Sequence, residues 1–396
     1  MINGRSARSK NRNIDQLLRK LAQSCDVPDQ IPDVSNGVYL YGAGDLGALA
    51  LEFCILSGIN VIGILDRSQS GEMGVGESLV AILNPADILS KKLMDVPVFV
   101  TIANIPIQPI IDSLKLQGWK SVMPFYALAT KSRAQHPLSN GWRIGVVSDR
   151  EMNDVEEICE KWADNESLEQ YNSYVSWHLD YTEITPIKTE IRYATEFAIP
   201  FIKDRMGQLV DIGSHEAQMP RRLSSMGFHF EEYILIEPDT LSFRKLQNEA
   251  SHYFAHTSRL SVVNSILSEK AGQIGFAQGL GYCSQIRHDI EPNSQATTLD
   301  NLELRPDLLK IHTEGSELDI IMGGHKTILC HEPIIMFTVY HNRLGFTKSI
   351  IEPMRMFEDY VWHFRQHSFQ GTGAVVYGFP QSGTFSRRIK SAKQFL

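Results

Sequence analysis

The stretch YVWHFRQHSFQGTGAVVYGF, residues 360–379, contains two apolar runs that are typical of β-strands. Only FQGTG, residues 369–373, separates the two runs. A crossover between parallel strands needs about a dozen residues or more, so these two strands cannot pair in parallel. The sequence therefore predicts an antiparallel hairpin at the end of the last sheet of the chain.

Upstream of this hairpin, strand-like runs alternate with helical patterns in two series. The first series begins at GVYLY, 37–41, and ends at SVMPF, 121–125. The second begins at GQLVDIGS, 207–214, and continues to PIIMFTVYH, 333–341. Strand, turn, helix and strand in this order indicate a parallel sheet with helical crossovers. We therefore predict an α/β fold with two doubly wound Rossmann-like domains.

The antiparallel hairpin distinguishes the second domain from a plain dinucleotide-binding domain and indicates a class I methyltransferase fold. A polar stretch from residue 131 marks the boundary between the two series, because its composition is typical of loops. The predicted organisation is an N-terminal arm (1–35), a Rossmann-like nucleotide-binding domain (36–130), a helical connector (131–200) and the methyltransferase-like domain (201–396).

The composition excludes several classes of protein. The 396 residues carry a formal net charge of −8, and basic clusters occur only at residues 5–12 and 386–393, so nucleic acid is not an expected partner. The five cysteines form no CxxC pair, so we expect no disulfide framework and no structural zinc site, and we predict no metal site. No apolar run approaches membrane-spanning length, so a cytoplasmic protein without a membrane partner is expected.

The first glycine-bearing turn lies in YGAGDLG, residues 41–47. Gly42, Gly44 and Gly47 have the GxGxxG spacing, which allows a tight turn and a close approach to a phosphate. Asp66 ends the next strand, where a carboxylate can bind a ribose. These residues predict a nucleotide or nucleotide sugar in the N-terminal domain, and the alternative is a purely structural turn.

The second turn lies in VDIGSHEA, residues 210–217, and has a single glycine in the turn, Gly213. Asp211 ends the strand before it, where a carboxylate suits the cationic amino-acid end of a ligand. Glu237 follows Gly213 by 24 residues, the separation that also links Gly42 to Asp66. A ribose-binding acid without a phosphate cradle favours S-adenosylmethionine over NAD.

The predicted cofactor site of the second domain therefore consists of Asp211, Gly213, Ser214 and Glu237. The alternative makes Asp211 a helix cap and Glu237 a solvated strand end.

The second domain resembles the FkbM family of S-adenosylmethionine-dependent methyltransferases over roughly residues 200–380. The resemblance rests on LVDIGS, ILIEPD, TTLDNL, LLKIHTEGSE and PIIMFTVYH, which occur in that order. It implies O-methylation of a hydroxyl on a sugar or another secondary metabolite, with a small-molecule or glycan acceptor as the partner. A subset of the family carries an N-terminal Rossmann-like domain similar to residues 36–130. A homo-oligomer is left open.

Two positions depart from the pattern of the family. His312 stands where the family usually has a carboxylate, which puts the base, the substrate and activity itself in question. Ala217 stands where the family usually has a second glycine, and an alanine can be tolerated at that packing position.

The stretch LLKIHTEGSE, residues 308–317, places polar side chains at the end of an apolar run. Ligands of open parallel sheets lie beyond the carboxyl ends of the strands, so His312 and Glu314 are predicted to face the ligand. His341 ends the adjacent strand. Methyl transfer from a sulfonium mainly requires an aligned acceptor and removal of its proton, and imidazole titrates near neutrality. His341 is the favoured base, His312 its competitor and Glu314 the remaining candidate.

Three features near these candidate catalytic residues are predicted to have structural roles or to contact the ligand. Glu317 is assigned to the helix N-terminus, where acids are favourable. Ser316 with Asp319 is predicted to cap that helix, which ends at Gly323 or Gly324. The segment 279–285 is predicted to be a flap over the pocket with Ser284 as a ligand contact, or else an ordinary surface loop.

Two other functions stay open. An NAD- or nucleotide-sugar-dependent oxidoreductase is one, although no Tyr has a Lys four positions later, as the usual short-chain dehydrogenase acid requires. A non-catalytic nucleotide-binding protein is the other.

Overall fold

The structure is a computed structural model that describes residues 13–24, 31–76, 78–88, 93–132, 138, 140–184, 192–193, 198–255, 257, 259–279 and 283–381. The two terminal basic clusters lie outside the described residues, as do much of the predicted N-terminal arm and parts of the predicted connector and flap.

The N-terminal sheet has six strands in the order β3-β4-β2-β1-β5-β6. They are β1 (Val38–Tyr41), β2 (Val61–Leu65), β3 (Gly71–Val75), β4 (Ser78–Leu83), β5 (Val98–Val100) and β6 (Val122–Pro124). All neighbouring pairs are parallel except β3 and β4. The helices of this part are Asp45–Leu56, Gln108–Leu116 and Phe125–Lys131. The parallel strands agree with the sequence, whereas the β3–β4 hairpin was not predicted.

The C-terminal sheet has seven strands in the order β17-β18-β16-β15-β7-β8-β9. They are β7 (Gln208–Ile212), β8 (Glu232–Ile236), β9 (Leu260–Val263), β15 (Leu308–Ile311), β16 (Ile334–Thr338), β17 (Tyr360–Gln366) and β18 (Ala374–Pro380). The first five of these are parallel, and β18 pairs antiparallel with both β16 and β17. The antiparallel terminal hairpin and the predicted fold class are therefore confirmed.

Between β9 and β15 the chain forms short strands that the sequence did not predict. They are β10 (Ile266–Leu267), β11 (Gly272–Ile274), β12 (Phe276–Ala277), β13 (Gln285–Ile286) and β14 (Ser294–Thr297). The helices of the C-terminal part are Ile199–Ile202, Gln218–Ser225, Thr240–Tyr253, Glu317–Gly323, His325–His331 and Lys348–Met356. None of the helices described here is long and apolar enough to cross a membrane.

Two helices, Asp149–Lys161 and Asn165–Asp180, pack against the C-terminal sheet. The hydroxyls of the buried Tyr171 and Tyr174 donate hydrogen bonds to the Phe346 and Val339 carbonyls, each over 2.8 Å. The second helix also contributes Trp177 to the core of the N-terminal domain. This helix therefore joins the two sheets.

The turn of the terminal hairpin contacts the N-terminal domain. The Phe369 amide donates to the Ala103 carbonyl over 2.7 Å, and Gln370 Nε2 donates to the Ile102 carbonyl. Glu183 accepts from the Gln370 amide with one oxygen and from the Ile107 amide with the other. The hairpin turn thus lies against the segment that follows β5.

Candidate active site

A cavity of about 530 Å³ lies at the carboxyl ends of the central strands of the C-terminal sheet. Its volume is in the range of small-molecule sites, and its place is the usual one for ligands of open parallel sheets. Its wall includes five of the residues predicted for the site: Gly213, Ser214, Glu237, His312 and Glu314. Asp211 and His341, predicted with them, are not part of the wall.

The turn after β7 requires the glycine at 213. Gly213 has a φ of +71°, and a Cβ there would lie 1.8 Å from the His312 carbonyl oxygen. Ala217 also adopts a left-handed conformation, with a φ of +52°. A left-handed alanine costs about 1–2 kcal/mol, so the departure at this position stores strain in the turn and is not cost-free.

Glu237 is held at the end of β8 with its carboxylate against the cavity. Its Oε2 accepts a hydrogen bond from the His215 amide over 2.7 Å, and its Oε1 accepts one from the Asp239 amide over 2.9 Å. Burial raises the pKa of the Glu237 carboxyl despite these two donors. A carboxylate oxygen can accept more than one hydrogen bond, so the side chain retains capacity for ligand hydroxyls.

Asp211 is buried beneath the cavity and pairs with Lys310. Its Oδ1 lies 2.7 Å from Lys310 Nζ, and its side chain is only 1% exposed. Lys310 also donates to the Gly213 carbonyl over 2.7 Å and borders the cavity. The geometry therefore gives Asp211 a role in holding Lys310, which differs from the predicted direct contact with the cofactor.

His312, Glu314 and His341 converge at the ends of β15 and β16, which are neighbouring parallel strands. Glu314 Oε1 lies 3.3 Å from His341 Nε2 and 3.7 Å from His312 Nε2. The two imidazoles stack with their centroids 5.0 Å apart. His312 also contacts the Tyr193 and Tyr340 hydroxyls, at 3.1 Å and 3.2 Å. The structure thus brings together all three predicted catalytic side chains.

Glu317 belongs to this cluster, although the sequence assigned it only to a helix N-terminus. Its buried carboxylate accepts hydrogen bonds from the Thr313 and Gly315 amides and from the Thr338 hydroxyl. Oε1 also lies 2.7 Å from His341 Nδ1. Glu317 begins a helix and His341 follows β16, and a linear pattern gives no signal that these two segments meet. The expected side-chain cap is also wrong, because Ser316 makes no capping hydrogen bond, while the helix does end at Gly323.

The two imidazoles have opposite electrostatic environments. Burial alone lowers the pKa of His341, but the carboxylates of Glu314 and Glu317 outweigh burial and hold that pKa well above its usual value. Burial, reinforced by the positive charges of His341 and Lys310, holds the pKa of His312 well below its usual value. The value near 6.5 of a free imidazole therefore describes neither side chain.

The backbone at this cluster is strained. Glu314 has a φ of +56°, which a residue with a Cβ rarely adopts, and Gly315 follows with a φ of +113°. A Cβ at Gly315 would lie 2.7 Å from Asn342 Nδ2, and Asn342 holds the turn by donating to the Gly315 carbonyl. Such strain costs of order 1–3 kcal/mol and is typical of functional sites.

The described part of the predicted flap lies beside the cavity. Ser284 borders the cavity, and its hydroxyl lies 2.9 Å from Asp239 Oδ2. The Gly279 amide donates to the same carboxylate oxygen. Asp239 therefore anchors both ends of the segment, of which residues 280–282 are not described.

The turn of the N-terminal sheet has the predicted strand-turn-helix context. A Cβ at Gly47 would lie 2.1 Å from the Gly42 carbonyl oxygen, and Gly42 has a φ of +118°. A Cβ at Gly44 would meet nothing within 4 Å. Packing thus explains the first and third glycines, while the second faces open space.

Asp66 is engaged by its own surroundings. Its oxygens accept hydrogen bonds from the Ala43, Ser68 and Gln69 amides and from the Ser68 hydroxyl. The predicted ribose contact would add to these four.

A comparison with known families identifies the segment that contains the candidate site. The model of the methyltransferase FkbM domain matches residues 211–369, a span that contains Glu237 and the whole His312–Glu314–His341 cluster. These residues form an FkbM methyltransferase domain. The FkbM methyltransferase domain supports a methyltransferase activity, and the resemblance inferred from the motifs is confirmed.

Solved structures that match this chain include the following two. Methyltransferase FkbM from Methylobacillus flagellatus KT matches with a TM-score of 0.62 and 17% identity, over 93% of this chain and 99% of that one. At this identity the likeness shows the fold alone, and the fold includes more than the FkbM methyltransferase domain. Precorrin-6y C5,15-methyltransferase from Geobacter metallireducens GS-15 covers 50% of this chain and 93% of its own, with 14% identity and a TM-score of 0.26 too low to carry an argument. No curated protein matches the sequence.

Proposed function

We propose that the protein is an S-adenosylmethionine-dependent O-methyltransferase that acts on a hydroxyl group of a sugar or another small secondary metabolite. The observation that carries the proposal is one cavity whose wall combines two kinds of group. Glu237 and the single-glycine turn at Gly213 belong to that wall, and so do His312 and Glu314. The carboxylate of Glu237 suits the ribose of a donor nucleoside, and the His312–Glu314 pair suits an acceptor hydroxyl.

In this proposal the Glu237 carboxylate accepts hydrogen bonds from the ribose hydroxyls of the cofactor. Gly213 and Ser214 line the path of the ligand beside it. Lys310, fixed by Asp211, orders the turn through the Gly213 carbonyl. The donor methyl group is already activated by the sulfonium, so the protein contributes alignment and proton removal.

The acceptor hydroxyl is proposed to approach His312 and Glu314, which border the cavity, while His341 lies behind Glu314. The cluster as a whole receives the acceptor and disposes of its proton. Glu317 orients His341 through the contact of 2.7 Å. The acceptor, the cytoplasmic location and the state of assembly remain predictions from the sequence.

We also propose that the N-terminal domain binds a nucleotide or nucleotide sugar without redox turnover. The open space at Gly44 supports this, because a phosphate can approach the backbone there. No observation favours an oxidoreductase, since the chain has no Tyr followed by Lys four positions later.

Calorimetry with S-adenosylhomocysteine, NAD and a UDP-sugar in turn tests both proposals. We expect S-adenosylhomocysteine to bind to the C-terminal site and a nucleotide to bind to the N-terminal one. Gly44→Ala should weaken the binding of the nucleotide and leave the binding of S-adenosylhomocysteine unchanged. Absence of S-adenosylhomocysteine binding would remove the methyltransferase proposal, and reduction of NAD in the presence of a nucleotide sugar would overturn the statement on redox turnover.

A further inference from the structure

We propose that His312, Glu314 and His341 form a binding site for one divalent transition-metal ion. One donor atom of each lies within 4.8 Å of the other two. Glu314 Oε1 lies 3.3 Å and 3.7 Å from the Nε2 atoms of His341 and His312. Two ligand atoms that are each about 2.1 Å from one ion, at a tetrahedral angle, lie about 3.4 Å apart. The three side chains are therefore spaced close to what ligands of one ion require.

His341 is oriented as a metal-binding histidine is. Its Nδ1 lies 2.7 Å from the Glu317 carboxylate, so when an ion replaces the proton on Nε2, the remaining ring proton stays on Nδ1 and the Nε2 lone pair faces the ion. The His341 side chain is 1% exposed, and its Nε2 lies 3.3 Å from Glu314 Oε1. Metal-binding histidines commonly donate their second N–H to a carboxylate, which fixes the tautomer and the ring. Glu317 supplies that carboxylate.

His312 can be fixed in the same way by Tyr193, whose hydroxyl lies 3.1 Å from Nδ1. The Tyr340 hydroxyl lies 3.2 Å from the Nε2 atom that would bind the ion. Arg192 also contacts this hydroxyl, at 3.3 Å, so Tyr340 keeps a partner when Nε2 becomes a ligand.

An ion-pair network without a metal explains less of this geometry. A protonated His341 between Glu314 and Glu317 accounts for its own two contacts. The Tyr193 and Tyr340 hydroxyls hold His312 in such a network, but its approach to the same Glu314 oxygen, at 3.7 Å, is too long for a hydrogen bond and has no function there.

The donor set selects the class of ion. Two imidazole nitrogens and one carboxylate oxygen suit Zn²⁺, Co²⁺, Fe²⁺ or Mn²⁺, whereas Mg²⁺ and Ca²⁺ prefer oxygen ligands. The sequence predicted no metal site because that expectation rested on the spacing of cysteines. Here the ligands come from two strands that are distant in the sequence.

Three protein ligands leave a coordination position open, and two of them border the cavity. The role of the ion rests on the proposed function. An acceptor hydroxyl bound to the ion has a lowered pKa and loses its proton to solvent. The oxygen then forms a bond to the methyl carbon as the carbon–sulfur bond breaks, and the sulfonium leaves as a neutral thioether.

Titration of the chelator-treated full-length protein with Co²⁺, followed by its visible absorption, tests the site without any assay of activity. We expect one equivalent to bind and Zn²⁺ to displace it, while Mg²⁺ does not. His312→Ala and Glu314→Gln should each weaken binding by more than about 100-fold, and Glu317→Gln by about 10- to 100-fold. His312→Asp should retain binding because it keeps a ligand, and His252→Gln, an exposed histidine elsewhere, should leave it unchanged.

Circular dichroism of each variant separates loss of the site from loss of the fold. Because Glu314 is partly exposed, Glu314→Gln keeps the test valid if a variant at the buried His341 does not fold. Failure of the wild-type protein to bind Co²⁺ while it still binds S-adenosylhomocysteine would overturn the metal site and leave the proposed function intact. Co²⁺ binding that survives both His312→Ala and Glu314→Gln would also overturn it. Specific Co²⁺ binding without methyl transfer would support the site and count against the function.

Discussion

The first turns of the two sheets share a spacing but differ in what surrounds their acids. Asp66 and Glu237 each follow the first glycine of the turn by 24 residues. Asp66 accepts four hydrogen bonds from its own neighbourhood. Glu237 accepts two and borders the large cavity. The spacing therefore places an acid beside a turn, and the local hydrogen bonds decide how much of that acid remains for a ligand.

The largest expected difference between the turns concerns their glycines. Gly213→Ala puts a Cβ 1.8 Å from the His312 carbonyl oxygen in a left-handed backbone, so the turn and β15 must separate. We expect a loss of about 2–4 kcal/mol in the free energy of unfolding, from strain and overpacking together. Denaturant unfolding measures it.

The matched control is Gly44→Ala, whose Cβ meets nothing within 4 Å. The free energy of unfolding should change by less than about 0.5 kcal/mol, as for an ordinary surface substitution. Equal losses in the two variants would contradict the distinction between a packed glycine and one that faces open space.

The next effect concerns the acids. Glu237→Ala should weaken S-adenosylhomocysteine binding by about 1–3 kcal/mol, because the ribose hydroxyls lose their acceptor in a buried site. Calorimetry on the folded variant measures the loss. Asp66→Ala is the control and should leave this affinity unchanged, since Asp66 belongs to the other sheet. Unchanged affinity in Glu237→Ala would remove Glu237 from the cofactor site.

The smallest effect is an opposite dependence of stability on pH. Burial raises the pKa of Glu237 above its ordinary 4.5, so its contribution to stability is present below pH 4.5 and is lost as pH rises through the raised value. Burial also acts to raise the pKa of Asp66, but the Ser68, Ala43 and Gln69 donors lower it below 3.8, so its contribution is present above pH 3.8 and is lost on acidification.

The directions of these two pH dependences can be checked by denaturant unfolding of one variant at each acid, measured over a range of pH. Relative to the wild type, Glu237→Gln should gain stability as pH rises above 4.5. Asp66→Asn should lose stability relative to the wild type as pH rises through the region below 3.8. Parallel pH profiles for the two variants would show that the two acids do not differ as described.

The sequence predicted the features that depend on local order along the chain. The short FQGTG connection fixed the antiparallel hairpin, and the glycine turns located the ends of β1 and β7. The β3–β4 hairpin escaped because its GEMGV strand is glycine-rich and largely exposed, so it lacks an apolar pattern. Apolar periodicity detects strands that are buried, and this one is not.

The candidate site shows the same limit. His312, Glu314 and His341 could be predicted because strand ends of a parallel sheet meet at one edge. Glu317 and Lys310 could not be given their roles, because each role depends on a partner that is distant in the sequence. The partner of Glu317 is His341, and the partner of Lys310 is Asp211. The pKa values of the two histidines could not be predicted either. The pKa of His312 is lowered and that of His341 is raised, because the fold gives the two imidazoles different neighbours.

The turn of the terminal hairpin limits how far this protein is modular. Phe369 and Gln370 bind carbonyls beside β5, and Trp177 from the preceding helix lies inside the N-terminal core. Division of the chain near residue 130 would expose apolar surface of the N-terminal core. It would also expose the Trp177 side chain, which would stay with the C-terminal part. An exchange of the N-terminal domain with that of another protein therefore has to carry the helix and the hairpin turn with it, although they are far away in the chain.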